Sequence, residues 1–453
     1  MTATSAIDME ASPQMTRGVR ITLYAIVAIM LIAITEEFAV PATNQLTHSG
    51  TWSIALGWSV PIMAAGLGGV FSERAGIVNI GLEGMMILGT WFGAWGALEF
   101  GPWWGIVIGI VAGAVGGLLH AIATVGFGVD HIISGVAINI MAPGITRYLS
   151  GEFFDGLEGG GITQSPRVAD WGDFSLPILA GGGDTPDVLG RIESWDWFFF
   201  SAVAGIARGF FFDISWMTLI AYALIPLSVI LLWRSSFGLR LRSCGEHPVA
   251  ADSLGVDVYR YKYIAVTISG ALAGFGGAFL AIELTGIYRE NQTNGRGFIG
   301  LATVIFGNWK PVGMAIGSFL FGVIETLLLR DEAAAHAMLL LFAMVLILLA
   351  LRAIFNDPVS RHWRSHSEIP IGSTGVDMRV RKGWRERLAV IHVSQVYGVL
   401  AVALFLWYIF TENVPKELPD VVPHVTVLLV LVIFATRLRA PAADGMRYRR
   451  GQQ

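Results

Sequence analysis

The feature that most limits this chain is the recurrence of long apolar runs with almost no charge. Met217–Trp233 and Met338–Leu351 contain no Asp, Glu, Lys or Arg, and Ile21–Val40 is charged only at Glu36 and Glu37. A helix that crosses a bilayer core needs about 20 mostly apolar residues. Hydrophobic residues make up 54% of the 453 and charged ones 14%, against about 25% charged in a soluble domain. The sequence therefore predicts an all-α polytopic membrane protein rather than a soluble fold with a large core.

Twelve spans are expected: Ile21–Val40, Ser53–Phe71, Gly76–Leu98, Trp104–Phe127, His131–Ser150, Ile214–Trp233, Tyr263–Glu283, Gly297–Trp309, Val312–Leu329, His336–Phe355, Val390–Phe410 and Val421–Thr436. Gly297–Trp309 is too short to span straight and is read as a broken or partial helix. Lys and Arg in short loops mark the cytoplasmic side. Arg17 and Arg20 put the N-terminus there. The count then places three basic segments on the same side: 234–262, 356–389 and the tail with Arg437, Arg439, Arg447, Arg449 and Arg450. The resulting organisation is a cytoplasmic N-terminal tail 1–20, a core 21–355, a basic linker 356–389, two additional helices 390–438 and a basic tail 439–453, with both termini cytoplasmic. The first apolar run is long and ends in Glu36-Glu37 without a small-residue cleavage site, so it reads as a retained anchor. The single cysteine, Cys244, falls in a basic segment and is expected to be a free thiol. The large outer segment 151–213 carries Trp171, Trp195, Trp197 and Phe198–Phe200. Aromatic residues favour the membrane interface, so it reads as an external cap with 195–212 at the membrane surface, or else as a disordered loop.

Several chemistries are missing. No G-x-x-x-x-G-K-[ST] string occurs, so the chain has no phosphate loop and no ATP site of its own. His362 and His366 have the spacing of two ligands on one helix face. They lie among basic residues that repel a cation, so no metal site is assigned. "GIVIGIVAGAVGG" (Gly105–Gly117) and "SGALAGFGGA" (Ser269–Ala278) read as helix-packing stripes. No strand precedes the second, which argues against a nucleotide-binding loop. The chain looks like a passage rather than a catalyst, without a nucleic-acid partner.

Polar groups inside a bilayer are costly and usually face a bundle interior or a wet cavity. Those inside the expected spans are Asn79, Glu83, Asn139, Asn308 and Glu325, with Glu283 nearer an interface. Asn79 and Glu83 are i,i+4 and would share a helix face. Phe306 and Trp309 flank Asn308 and could stack on a ring, although aromatics in a span often serve packing alone. The set contains no Lys or Arg, which disfavours an anionic substrate and suits a neutral or weakly cationic solute such as a nucleoside or sugar. Together Asn79, Glu83, Asn139, Phe306, Asn308, Trp309 and Glu325 are the expected substrate path; the alternative for each is an interhelical hydrogen bond or packing.

Three stretches resemble a known family. "GLGGVFSERAGIVNIGLEGMMILGTWFGAW" (Gly66–Trp95) resembles the signature region of bacterial ABC-importer permeases for nucleosides, within the wider group for simple sugars and branched-chain amino acids. "FGLRLRSCGEHPVAADSLGVDVYRYKYIAVTISGALAGFGGA" (Phe237–Ala278) is similar to the ATPase-contact loop and following helix of that group, with His247 where Asn is usual. "GRGFIGLATVIFGNWKPVG" (Gly295–Gly313) looks like the nucleoside type. The resemblance implies a type II ABC-importer-like transmembrane domain of about ten core helices, to which the last two spans would be additions. It implies a bacterial cytoplasmic membrane, a second, related permease chain, cytoplasmic ATPase subunits that use ATP and Mg, and an external substrate-binding lipoprotein. It assigns the ATPase contact to Gly245, Glu246, His247, Pro248, Ala250, Ala251, Leu254 and Gly255. Pro248 suits a first helical position, and Gly255 suits a helix end. Other classes remain open: an importer for sugars or branched-chain amino acids, or an ion-coupled secondary transporter.

Overall fold

The computed structural model describes residues 17–39, 46–169, 172–195, 197–330, 332–355, 395–411 and 438–450. Its helices are α1 (Arg17–Ala39), α2 (Ser49–Arg74), α3 (Leu82–Phe100), α4 (Pro102–Ala121), α5 (His131–Phe153), α6 (Val188–Glu193), α7 (Phe198–Gly209), α8 (Trp216–Val229), α9 (Ser236–Glu246), α10 (Pro248–Ser253), α11 (Val258–Phe279), α12 (Arg296–Phe306), α13 (Pro311–Arg330), α14 (Glu332–Phe355) and α15 (Gln395–Phe410). Single π-helical turns extend α4, α8 and α11. The one described sheet is a two-residue pair, β1 (Asp173–Phe174) antiparallel to β2 (Ile214–Ser215), so the all-α expectation needs only that small amendment.

The chain divides into two units: one formed by Met1–His48, Ile192–Gly205 and Asp331–Val414, the other by Ser49–Arg191, Ile206–Arg330 and Pro415–Gln453. Within the first, α1 packs on α14, and the His336 ring stacks on Tyr408 at 4.5 Å. Glu36, the acid that interrupts the first apolar run, accepts hydrogen bonds from the backbone N–H groups of Leu46 and Thr47 at 3.0 and 3.2 Å. Its carboxyl group thereby holds Leu46 and Thr47.

In the second unit α2 and α11 are central. Of their apolar stretches 89% and 72% are buried, against 28% for α5 and α8, which present most of their surface outward. The glycine stripes explain how α4 and α11 approach. A Cβ added to Gly117 would sit 2.6 Å from the Val266 carbonyl oxygen, and one on Gly113 would sit 2.6 Å from the Gly274 Cα. Only glycine permits backbones this close, so both stripes are packing surfaces, as expected.

Among the described residues six helices are long and apolar enough to cross a membrane: Ser49–Arg74, Pro102–Gly126, His131–Phe153, Trp216–Arg234, Val258–Leu284 and Pro311–Leu328. The expected span Gly76–Leu98 starts as a helix only at Leu82. Val421–Thr436, the linker 356–389 and His362 and His366 lie outside the described residues. Segment 151–213 is folded where it is described. The backbone N–H of Ser165 donates to the Tyr288 carbonyl at 3.0 Å, and Arg208 pairs with Asp187 at 2.6 Å. Trp195, Trp197, Phe198 and Phe200 are exposed.

Candidate functional site

After α2 the chain does not turn straight into another helix. Ala75, Gly76 and Ile77 bond back to the Ser72 and Glu73 carbonyls, with Gly76 at φ +83°. Ile77–Gly81 then runs without helical hydrogen bonding until α3 begins at Leu82. Its neighbours on α11 fix its course. Gly76 lies beside Lys262, and Asn79 bonds Ser269. Seven residues of α11 separate these points, about 10 Å at 1.5 Å per residue. The segment therefore climbs into the bundle as irregular, mostly buried backbone.

Irregular backbone at membrane depth survives only if its polar groups are paired inside the protein. The polar side chains do that here. Asn139 accepts from the Gly84 N–H at 2.8 Å and donates to the Ile80 carbonyl at 2.9 Å. His120 meets the Val78 carbonyl through Nε2 at 3.2 Å, which makes Nε2 the protonated nitrogen, so Nδ1 accepts from the Ser134 hydroxyl at 2.9 Å. Asn79 accepts from the Gly81 N–H at 3.1 Å and donates to the Ser269 hydroxyl at 2.9 Å. Asn79 precedes α3 and Glu83 lies in its first turn, so the two do not share a helix face. The i,i+4 expectation failed because it assumed a helix through Ile77–Gly81.

Glu83 is engaged elsewhere. Its two carboxylate oxygens accept the Gly295 N–H at 2.9 Å and the Gly297 N–H at 2.7 Å. These groups open α12, whose N-terminus carries partial positive charge and unpaired N–H groups. The 11 residues of α12 reach about 16 Å, half of a roughly 30 Å core, which fits the expected partial helix. Beside this cap, Arg296 is paired with Glu325, its Nη1 donates to the Gln292 carbonyl at 2.7 Å, and its guanidinium lies 5.1 Å from the Trp58 ring centre. Arg296 and Lys262 are 8% and 1% exposed. The expectation that the deep polar set lacks cations is therefore wrong. Each stands one residue before the apolar run where a span was drawn, and helical continuation carries both inside. The exclusion of anionic substrates loses its basis.

Phe306, Asn308 and Trp309 lie at the far end of α12. Asn308 and Trp309 both have left-handed backbone, φ +53° and +55°. The turn is held by its surroundings: the Trp309 indole donates to Glu73, and the Arg74 Nε–H donates to the Trp309 carbonyl at 2.9 Å. Asn308 Oδ1 accepts the Arg439 backbone N–H at 2.8 Å, and Phe306 stacks on Phe321 at 6.2 Å. Trp309 is 6% exposed, so it does not offer a ring face for stacking. The structure thus gathers Asn79, Glu83 and Asn139 around the irregular segment 77–81, sets Glu325 at the start of α12, and separates Phe306, Asn308 and Trp309 by the length of that helix. An apolar groove of about 440 Å³ lined by Leu88, Phe92, Val115 and Met141 includes none of them.

The second candidate region is the corner between α9 and α10. His247 caps α10 by accepting the Ala250 N–H through Nδ1 at 3.2 Å, so it does the work of the usual Asn, and Pro248 occupies the first helical position. Gly255 follows the helix at φ +83°. Gly245 packs against Arg74 and Gly76, while the Glu246 carboxylate is 3.7 Å from the Arg74 guanidinium. Ala251 is buried, and Leu254 is 85% exposed. An apolar side chain held so far into solvent at the tip of a short helix suits contact with another polypeptide.

His120, Ser134, Ser269, Trp58, Arg296 and Lys262 were not singled out from the sequence. His120, an ionisable residue inside an apolar run, was the legible signal among them.

Apolar helices around a buried, side-chain-braced break are the architecture of a polytopic membrane permease. The chain belongs to the family described as branched-chain amino acid transport system / permease component, which matches residues 52–351. Similar proteins include the guanosine ABC transporter permease protein NupQ of Bacillus subtilis, 37% identical over 60% of this chain and 79% of that one. The nucleoside ABC transporter permease protein NupC of Lactococcus lactis is 38% identical over the same shares. The putative glucose ABC transporter permease protein TsgC13 of Haloferax volcanii is 31% identical over 61% and 76%. No solved structure matches. The chain is thus an ABC transporter permease with nucleoside-type relatives.

Proposed function

We propose that the chain is the transmembrane subunit of an ATP-driven importer for nucleosides, working by alternating access in the bacterial cytoplasmic membrane. The observation that carries this reading is its 37–38% identity to guanosine and nucleoside permeases over 79% of their length. A cytoplasmic ATPase would dock on α10 around Leu254 and Val249, both exposed, and use ATP and Mg. A second, related permease would complete the passage, and an external lipoprotein would deliver the substrate.

In this reading the path runs beside the irregular segment 77–81 and α12. Asn79, Asn139 and Glu83 hold its wall in shape, Arg296 and Glu325 set its polarity, and Phe306, Asn308 and Trp309 shape its inner end. Movement of the 245–255 corner passes to Arg74 and Gly76, which it touches, and rocks the wall between outward and inward forms. The 31% identity to a putative glucose permease supports a sugar as the second reading.

The test is uptake in proteoliposomes holding this chain, its partner permease, the ATPase and the external receptor. Labelled nucleoside should enter only with ATP, and Leu254→Asp should abolish entry while the protein still inserts and melts normally. Gradient-driven uptake by this chain alone, collapsed by an uncoupler, would sink the proposal in favour of a secondary transporter. A receptor that binds sugars and ignores nucleosides would transfer it to the second reading.

A further inference from the structure

The last described segment, Leu438–Arg450, lies beyond the family match, which ends at residue 351. It packs as irregular backbone against parts of its own unit that are distant in sequence. The Ala443 N–H donates to the Gly245 carbonyl at 2.8 Å, and the Ala442 N–H to the Glu246 carboxylate at 3.3 Å. The Arg439 N–H donates to Asn308 Oδ1 at 2.8 Å. A Cβ on Gly76 would sit 3.0 Å from the Ala443 carbonyl oxygen, and one on Gly445 would sit 3.6 Å from Val78. Arg450 reaches Asp252 on α10 at 3.2 Å, and the Tyr448 ring lies 5.5 Å from Tyr259 on α11. Tyr448 also covers the small core of Cys244, Ala251 and Val258 that joins α9, α10 and α11.

One short segment therefore grips the α9–α10 corner, the start of the irregular segment 77–81 and the turn after α12. Three of its attachments use backbone N–H groups, which hold position independently of side-chain rotamers. Exposed surface filler would not bury Ala443 to 6% exposure. We propose that Leu438–Arg450 is a strap that ties the α9–α10 corner to the wall of the path, so that motion of the corner reaches Val78–Asn79 and Asn308 together. It makes this segment part of the transmission, outside the portion of the chain shared with the family. The transmission role rests on the importer reading; the tie itself does not.

The experiment uses the assembled complex, with a sequence-specific protease site inserted immediately before Leu438, so that the strap is released only after folding. Once cut, residues 438–453 lose the high effective concentration that covalent linkage gives. Cys244 is the chain's single cysteine and is fully buried, so its labelling by a maleimide reports loosening of the corner without reference to transport. Cutting should speed that labelling at least about tenfold and lower the nucleoside transported per ATP hydrolysed by a similar factor. Tyr448→Ala should move both readouts part of the way. Unchanged labelling after complete cutting overturns the strap. Faster labelling with unchanged transport per ATP overturns its transmission role, leaving packing alone. Absence of ATP-driven uptake before cutting defeats the importer reading, and the transmission inference falls with it.

Discussion

Glu83→Gln tests most sharply what the buried polar groups do. Glu83 accepts two backbone N–H groups at 2.9 and 2.7 Å at the start of α12. A glutamine in the same place offers one carbonyl oxygen and turns an NH₂ toward the second N–H. The variant loses one charge-assisted bond, worth about 1.5–3 kcal/mol, and leaves a buried donor unpaired at a cost of about 1–3 kcal/mol. Loss of the negative charge at a helix N-terminus adds roughly 0.3–1 kcal/mol. The overlapping contributions amount to about 3–5 kcal/mol, a large part of a typical stability of 5–15 kcal/mol. In detergent the variant should melt well below the native protein. In the membrane its uptake should fall through kcat and the amount of folded protein, with substrate KM nearly unchanged. Glu83→Ala should be worse, because both N–H groups lose their partner. A Gln variant that melts like the native protein but binds substrate weakly would refute the capping argument and return Glu83 to direct substrate contact.

Arg296→Met leaves Glu325 buried without its cation and should destabilise the protein by about 3–5 kcal/mol, read as a melting shift; the double change Arg296→Met with Glu325→Leu should recover much of it. Gly113→Val places a branched side chain against the Gly270–Gly274 backbone and should cost at least about 1–3 kcal/mol, seen as loss of monodisperse protein on gel filtration; Gly144→Ala, with open space around it, should be neutral to packing. Asp444 supplies a pH dependence: burial pushes its carboxyl up to about 7, against the opposing pull of a backbone hydrogen bond, Lys262 and Arg74, with Glu73 the acid facing it. A raised carboxyl favours the packed strap below the ordinary carboxylate range, and that contribution is lost as pH rises through about 7. The ratio of Cys244 labelling rates, native over Asp444→Asn, should therefore climb from about pH 5 to about pH 7 and level off above, and a flat ratio would remove Asp444 from the strap's hold.

The sequence by itself determined the class. Apolar runs the length of a bilayer core permit few structures other than membrane helices, because backbone polar groups in hydrocarbon must be satisfied within the segment. It also determined the packing stripes, since glycine at helical spacing has few uses in a span. The start and end of α10 were legible because Pro248 and Gly255 act through local backbone geometry. The tertiary structure alone decided where the polar groups point. Hydropathy carried the helix through 77–81, although the partners that make the break tolerable, Asn139, His120 and Ser269, come from three other helices. A hydropathy window cannot reveal such pairing, because it reads each residue with its neighbours in sequence. The same blindness left Arg296 and Lys262 at the edges of spans, when their depth depends on what packs beside them. It also left Leu438–Arg450 as a basic tail, since its hold on Gly245 and Asn308 is made largely by backbone, on which side-chain composition is silent.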